Sequence, residues 1–262
     1  MILDAKLSPR QLARRRRLLA RERFKRARLA ERAYARRLSA VAKQVGELIK
    51  GMTPKNAPVP VTQIKMALSR YADMLRPWAE SVARSLISEV GQRDERAWAE
   101  LGREVGRSLR SEIRNAPTGQ AMQKIMNEQV DLIQSLPRKA AERVHYVVIK
   151  GISEGQRADV VAEEVLKTGK VTKSRAMLIA RTETTRAASA LVEARARFIG
   201  SEGYIWRTAG DADVRDEHKK LEGKYIPYDR PPVAGTNGMR YHAGAGPNCR
   251  CWQEPVVPDR LH

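Results

Sequence analysis

The sequence predicts a mainly α-helical N-terminal region followed by a small α+β domain at the C-terminus. Two observations carry this prediction. Up to Ile199, apolar residues recur at the three- and four-residue spacing of amphipathic helices. From Tyr204 onward the pattern changes to short strand-like runs, beginning with Tyr204–Thr208, between turns rich in Gly and Pro. The predicted parts are a basic helical arm (1–51), a helical region (61–150) and a C-terminal domain of helices followed by the small α+β unit (151–262).

The first predicted helix is strongly basic. Ser8-Pro9 is a good start signal, because Ser caps helices and Pro suits the first helical position, and Gly51 and Pro54 mark the end. Between Arg10 and Lys43 there are fourteen Lys or Arg residues and two acidic ones. The helix also has one apolar stripe, made of Ala20, Phe24, Ala27, Tyr34, Leu38, Val41, Val45 and Leu48.

The charge of the whole chain indicates a polyanionic partner. Its formal net charge is +20, from 50 Lys and Arg residues against 30 Asp and Glu, and such a field attracts polyanions in a salt-dependent way. The alternative for the first helix is a solvated basic face that packs on its own domain or self-associates with a partner helix. We favour contact with double-stranded DNA without sequence preference, because no groove-reading motif is present. The predicted DNA contacts are Arg14, Arg15, Arg16, Arg17, Arg21, Arg23, Lys25, Arg26 and Arg28.

Proline and glycine divide the rest of the helical region. A Pro-rich linker is predicted at Met52–Pro60, and Pro77 is expected to kink the next helix or to start a new one. A later helix is predicted to end at Pro137, with a separate helix over Lys139–Lys150. A long alanine-rich helix is predicted to run from about Thr172 to Ile199, with a narrow face suited to close helix packing.

The C-terminal unit is predicted to have few regular elements. Asp213 is expected to cap a short helix that runs to Leu221, with Asp216 in the reciprocal capping position. A second strand is predicted at Lys224–Tyr228 and a last one at Asn248–Glu254, with a long loop between them.

This unit also contains four potential zinc ligands. Zinc favours Cys and His in tetrahedral sets, and a structural zinc would stabilise a loop-rich unit that has little apolar mass. The two cysteines are separated by one residue, whereas zinc sites normally use C-x₂₋₄-C, so the alternative is a pair of reduced thiols and an ordinary histidine. The predicted ligands are His218, His242, Cys249 and Cys251.

A catalytic site is the competing interpretation of the same region. Asp211, Asp213, Glu217 and His218 are the residue types needed for acid–base or metal-assisted hydrolysis of a phosphodiester or peptide bond. However, Glu217 and His218 are neighbours on a helix and point in different directions, and no nucleophile elbow, phosphate loop or H-E-x-x-H pattern is present. Arg181-Thr182-Glu183 is expected to tie helices together. We therefore favour a non-enzymatic function.

The chain shows no secretory signal and no run of about 18 apolar residues that would span a membrane. Its only two cysteines are poorly placed for a disulfide framework. We expect synthesis in a reducing cytoplasm.

Beyond single motifs, an ordered set of short pieces covers Gly151–Pro255. The pieces are Gly155, Val160-Val161-Ala162, Arg175-Ala176, Ile179–Glu183, Gly203-Tyr204, Trp206-x-Thr208, Asp211-x-Asp213-Val214-Arg215, His218, Leu221-x-Gly223, Asn248-Cys249-Arg250-Cys251 and Pro255. This set resembles the Mu F-like family of phage head morphogenesis proteins, also called minor head proteins. It includes His218, Cys249 and Cys251, whereas His242 lies in a stretch that the resemblance does not cover.

The resemblance implies a low-copy component of a tailed-phage head that associates with the portal protein and other head proteins. Its expected location is the virion, in the head interior near the portal vertex, after synthesis in the host cytoplasm. Its expected role is in head assembly and in genome packaging or delivery, and the resemblance implies no enzymatic activity. The alternatives are a virion-carried metal-dependent nuclease or hydrolase, and a nucleic-acid-binding protein with no role in a particle.

Overall fold

The structure, a computed structural model, describes residues 9–54, 57–105 and 117–256. Side chains are described over 29–54, 57–96 and 117–256, apart from Asn237. Over these ranges the chain is mainly helical and ends in a small three-stranded antiparallel sheet. The predicted fold class is confirmed.

The described residues form the following elements. The helices are α1 (Pro9–Met52), α2 (Val61–Met74), α3 (Arg76–Val105), α4 (Thr118–Ser153), α5 (Ala158–Leu166), α6 (Thr168–Phe198) and α7 (Asp216–Lys219). The strands are β1 (Gly203–Arg207), β2 (Tyr225–Pro227) and β3 (Trp252–Pro255). In the described ranges, none of the helices is long and apolar enough to span a membrane.

Proline marks one helix boundary and not another. Pro77 is the second residue of α3, where its missing N–H has no helical partner to lose, so a new helix starts there. The predicted helix end at Pro137 is wrong, because α4 continues through this residue to Ser153. Proline removes one helical hydrogen bond, but the turns on both sides of Pro137 place buried apolar side chains in the core. These side chains are Ile133, Leu136, Ala140, Ala141 and Val144.

The chain packs into two compact units. The helical unit consists of Arg32–Ser85 and Met126–Arg181, and the sheet-containing unit consists of Met1–Glu31, Leu86–Ile125 and Thr182–His262. The domain boundaries predicted near residues 51, 61 and 151 stay predictions.

The helical unit has an aliphatic core. Gly46 and Gly169 let α1 and α6 approach closely, since a Cβ on Gly169 would lie 3.2 Å from the Gly46 Cα. The buried Tyr34 hydroxyl donates to the Gln129 side-chain oxygen at 2.9 Å. The buried core residues are Val45, Ile49, Ile64, Leu68, Ala140, Ala141, Val144, Val148, Val161 and Val165.

The sheet-containing unit is organised around β1, which lies between β2 and β3 in the order β2-β1-β3. Both pairings are antiparallel. Tyr204 and Trp206 on β1 are fully buried, and the Asp94 carboxylate pairs with the Arg195 guanidinium at 2.5 Å in the interior. The buried core residues are Ala196, Ile199, Tyr204, Trp206, Ile226, Tyr228, Ala234, Ala243, Cys249 and Cys251.

Candidate metal centre

Three of the four predicted ligands meet inside the sheet-containing unit. His218, Cys249 and Cys251 are all buried, and their donor atoms lie within 4.8 Å of one another. The His218 Nδ1 is 3.3 Å from the Cys251 Sγ and 3.8 Å from the Cys249 Sγ. Among the described residues, His218, Cys249 and Cys251 are the side chains whose donor atoms lie close enough together to hold one metal ion.

Each ligand is held by a neighbouring element. His218 lies on the short helix α7, and both cysteines lie in the segment that leads into β3. The Trp206 ring on β1 contacts the His218 ring edge-on, with ring centroids 5.3 Å apart. The strand at the centre of the sheet therefore forms one wall of the site.

The hydrogen bonds of His218 determine which ring nitrogen faces the sulfurs. Its Nε2 lies 2.9 Å from the Ala234 carbonyl oxygen, which can only accept a hydrogen bond. In the neutral imidazole Nε2 therefore carries the hydrogen, and Nδ1 presents its lone pair to Cys249 and Cys251. Metal-binding histidines typically donate their second N–H to a backbone carbonyl in this way. The Tyr241 hydroxyl donates to the same carbonyl at 2.7 Å, which further fixes this edge of the site.

The two thiols share hydrogen bonds that favour a thiolate. Donation from the Cys251 thiol lowers the pKa of Cys249, with further support from the backbone N–H groups of Cys251 and Gly244, although burial opposes this shift. Conversely, the hydrogen bond to Cys249, together with burial, raises the pKa of Cys251 above its ordinary value. The hydrogen bond between the two thiols thus moves their pKa values in opposite directions.

Trp206 supplies a buried polar atom to the wall of the site. Its indole Nε1 has no hydrogen-bond partner among the described residues. Trp206 opposes the rise in the pKa of the Cys251 thiol, but the Cys249 hydrogen bond and burial keep that pKa raised. Two cysteine sulfurs and an imidazole lone pair are a donor set that suits zinc or another thiophilic metal.

Arg250, the residue between the two cysteines, faces away from them. Its guanidinium binds both carboxylate oxygens of Asp211, at 2.6 and 2.7 Å, and lies 3.3 Å from the Asp213 carboxylate. The predicted cap by Asp213 is wrong, since α7 begins at Asp216 and has no side-chain cap. The strong charge of Arg250 attracts the Asp213 carboxylate instead.

The fourth predicted ligand, His242, lies outside the group of three. Its Nδ1 is 3.2 Å from the Tyr204 hydroxyl, and its ring contacts the rings of Tyr204 and Tyr228 edge-on. Burial lowers the pKa of His242.

The proposed hydrolytic residues do not converge on His218. Asp211 and Asp213 pair with Arg250, Glu217 is exposed, and His218 is buried against the thiols.

Several residues that support the site were not predicted from the sequence as functional. The Thr182 hydroxyl on α6 accepts the Asn248 N–H at 3.0 Å, and the Arg215 guanidinium donates to the Pro247 carbonyl at 2.7 Å. The Ser189 hydroxyl donates to the Ala243 carbonyl at 2.8 Å. Thr182 and Arg215 lie within the short motifs of the sequence, and these motifs could have pointed to a role at the site. Ser189 lies in no such motif, so the sequence held no signal for it.

The predicted DNA contacts lie on the α1 backbone, but their side chains are outside the part that the structure describes. These residues are Arg14, Arg15, Arg16, Arg17, Arg21, Arg23, Lys25, Arg26 and Arg28. They stay predictions.

Comparison with known proteins addresses the C-terminal part of the chain. Residues 142–254 match the family described as Phage Mu protein F like protein. An uncharacterized protein of Haemophilus influenzae is 29% identical over 181 residues, which are 68% of this chain and 39% of that relative, so the chain spans well under half of the relative's length. No solved structure matches. Over residues 142–254 the chain is thus similar to the Phage Mu protein F like family, which confirms the resemblance found in the sequence.

Proposed function

We propose that this protein is a minor head protein of a tailed phage that acts in head morphogenesis. The observation that carries the proposal is the family match over residues 142–254. The matched region contains all three residues of the candidate metal centre, His218, Cys249 and Cys251. The match therefore includes the most specifically organised part of the molecule.

The proposed place of the protein is the head interior, beside the portal protein and other head proteins, with a role in genome packaging or delivery. The charge of +20 supports contact with packaged DNA, because the DNA phosphates supply the counter-charge that such a protein needs. The arginines of the first helix would face the DNA, whereas Tyr34, Leu38, Val41 and Val45 of its apolar stripe are buried in the protein's own core.

Mass spectrometry of gradient-purified, nuclease-treated virions tests the particle role. We expect the chain at low copy in complete virions and its loss from heads assembled without the portal protein. A chain missing from both would contradict a head role, and a chain equally abundant in both would contradict association with the portal.

The salt dependence of DNA binding tests the predicted contacts. Replacing Arg14, Arg15, Arg16 and Arg17 by Gln should reduce the slope of log K against log salt by about 3 to 4. The matched control replaces four exposed cations of the helical unit, Lys65, Arg70, Lys170 and Lys173, by Gln. An equal reduction in both variants would mean that the first helix has no special part in binding.

We also propose that His218, Cys249 and Cys251 hold a structural zinc ion; the predicted part of His242, which lies outside this group, stays a prediction. The bound ion would supply a cross-link between α7 and the segment leading into β3. The three buried donor atoms within 4.8 Å of one another and the inward lone pair of His218 support this assignment. Elemental analysis of the purified protein should find one equivalent of zinc. A protein without stoichiometric metal, whose melting temperature does not change with chelator, would contradict it.

A further inference from the structure

Two short motifs that are distant in the sequence interlock at the metal centre. The first runs from Asp211 to His218 and the second from Pro247 to Cys251. Three of the contacts that join them bear on the site. They are Asp211 with Arg250, His218 with both thiols, and Arg215 with the Pro247 carbonyl.

The spacing of the cysteines gives Arg250 a geometric role. In an extended segment, residues i and i+2 point to the same side and residue i+1 to the opposite side. Cys249 and Cys251 both point inward to His218, so Arg250 points outward, where it meets Asp211. Rotation of this segment about its own axis would move both sulfurs together, and a fixed Arg250 opposes that rotation.

The contact of Arg250 with Asp211 is suited to fixing an orientation. Both guanidinium nitrogens reach separate oxygens of one carboxylate, at 2.6 and 2.7 Å, and such two-point contacts define a plane as well as a distance. The Arg250 side chain is only 18% exposed, so the pair is partly shielded from solvent. Asp213 adds a weaker contact at 3.3 Å from a side chain that is 84% exposed.

The entry to the segment is fixed separately. Asn248 has a φ of 55°, a left-handed conformation that Asn tolerates better than most residues, and it turns the chain into Cys249. Its N–H donates to the Thr182 hydroxyl on α6. Asn248 thus fixes where the segment begins, and the contact of Arg250 with Asp211 opposes its rotation.

We propose that Arg250 and Asp211 are positioning residues of the metal centre, which orient Cys249 and Cys251 so that both thiolates bind the same ion as His218. This inference rests on the proposed zinc site. It explains how a C-x-C pair serves one metal, since the residue between the cysteines is held from outside by a partner 39 positions away.

Cobalt(II) titration of the full-length protein tests the proposal, because cobalt reports its ligands in the visible and near-ultraviolet spectrum. The wild type should bind one equivalent, with a thiolate-to-cobalt charge-transfer band and a tetrahedral pattern. Asp211→Asn and Arg250→Lys should each weaken cobalt and zinc affinity by about 10- to 100-fold, and should reduce the charge-transfer intensity per bound cobalt. Asp211→Glu, which keeps the carboxylate, should recover much of the affinity.

The control is Asp73→Asn, which removes an exposed Arg–Asp contact of the helical unit and should leave affinity and spectrum unchanged. Circular dichroism of each metal-free variant separates folding from metal binding; if Asp211→Asn does not fold, Arg250→Lys decides the question. A wild type that binds neither metal would overturn the zinc proposal and the inference with it. A wild type that binds, beside folded variants with wild-type affinity and spectrum, would overturn the positioning role alone.

Discussion

The helical unit and the sheet-containing unit are stabilised in different ways. The core of the helical unit is built from Ala, Val, Ile and Leu, whose contacts are numerous and interchangeable. The core of the sheet-containing unit combines Tyr204, Trp206 and Tyr228 with two cysteines and the ring of His218. The comparison teaches that the first unit depends on total buried area, and the second on a few contacts that only particular residues can make.

Metal removal should give the largest effect, and it should destabilise the sheet-containing unit while leaving the helical unit intact. In zinc-loaded protein, chelator or Cys251→Ser is expected to abolish amide-exchange protection at Ile205 and Trp206 on β1, and to leave Ile64–Ala72 on α2 protected. The effect is expected to be large because a structural zinc contributes on the order of 10 kcal/mol to the folding free energy of a small domain. Hydrogen exchange with mass spectrometry makes the measurement. Unchanged protection on β1 would show that the aromatic core suffices without a metal.

The buried ion pair of the sheet-containing unit should give the next largest effect. Asp94→Asn removes the charge that balances Arg195 in the interior, where their side chains are 4% and 6% exposed. We expect a loss of about 3–5 kcal/mol in the free energy of unfolding. The double variant Asp94→Leu/Arg195→Met should recover most of it, because no buried charge then remains. Urea denaturation measures both, and a double variant as unstable as the single one would refute the charge argument.

A large-to-small substitution in the helical unit should cost somewhat less. Leu68 is fully buried, and Leu68→Ala should lower the free energy of unfolding by about 3 kcal/mol through lost burial and a residual cavity. Leu68→Met keeps the volume and should cost less than about 1.5 kcal/mol. Denaturation monitored by far-ultraviolet circular dichroism is the measurement. Equal costs for both variants would mean that this core is not interchangeable, which would weaken the comparison.

The smallest effect is expected at the exposed pair of Arg138 and Asp73, whose closest atoms are 3.4 Å apart. Asp73→Asn should change the free energy of unfolding by less than about 1 kcal/mol, since exposed pairs are screened by solvent and salt. The same denaturation experiment, repeated at low and high salt, checks it. A larger, salt-insensitive loss would show that this pair is integrated into the helical core.

Local pattern predicted much of this fold. The start and end of α1 and the place of β1 follow from periodicity, caps and glycines, because these signals act between residues close in sequence. The end predicted at Pro137 failed since burial on both sides of the proline outweighed its local cost. Local reasoning has no access to that burial.

The site was predicted in its residue types but not in its arrangement. His218, Cys249 and Cys251 stand out because the chain has only two cysteines and four histidines. Their supporting contacts join residues that are far apart in sequence, such as Asp211 with Arg250 and Thr182 with Asn248. For the same reason the C-x-C spacing looked unsuitable for zinc. The contact between Arg250 and the distant Asp211 gives no signal in the local sequence.

The central position of β1 has a consequence for synthesis on the ribosome. Its outer partner β3 ends at Pro255, roughly 50 residues after Trp206, which takes about 3–10 s to translate at bacterial speeds of about 5–20 residues per second. During that interval Trp206 and the imidazole of His218 have been synthesised, but the cysteines that cover them in the folded unit have not. The nascent chain thus passes through a period in which its future interior is exposed to chaperones and to other nascent copies.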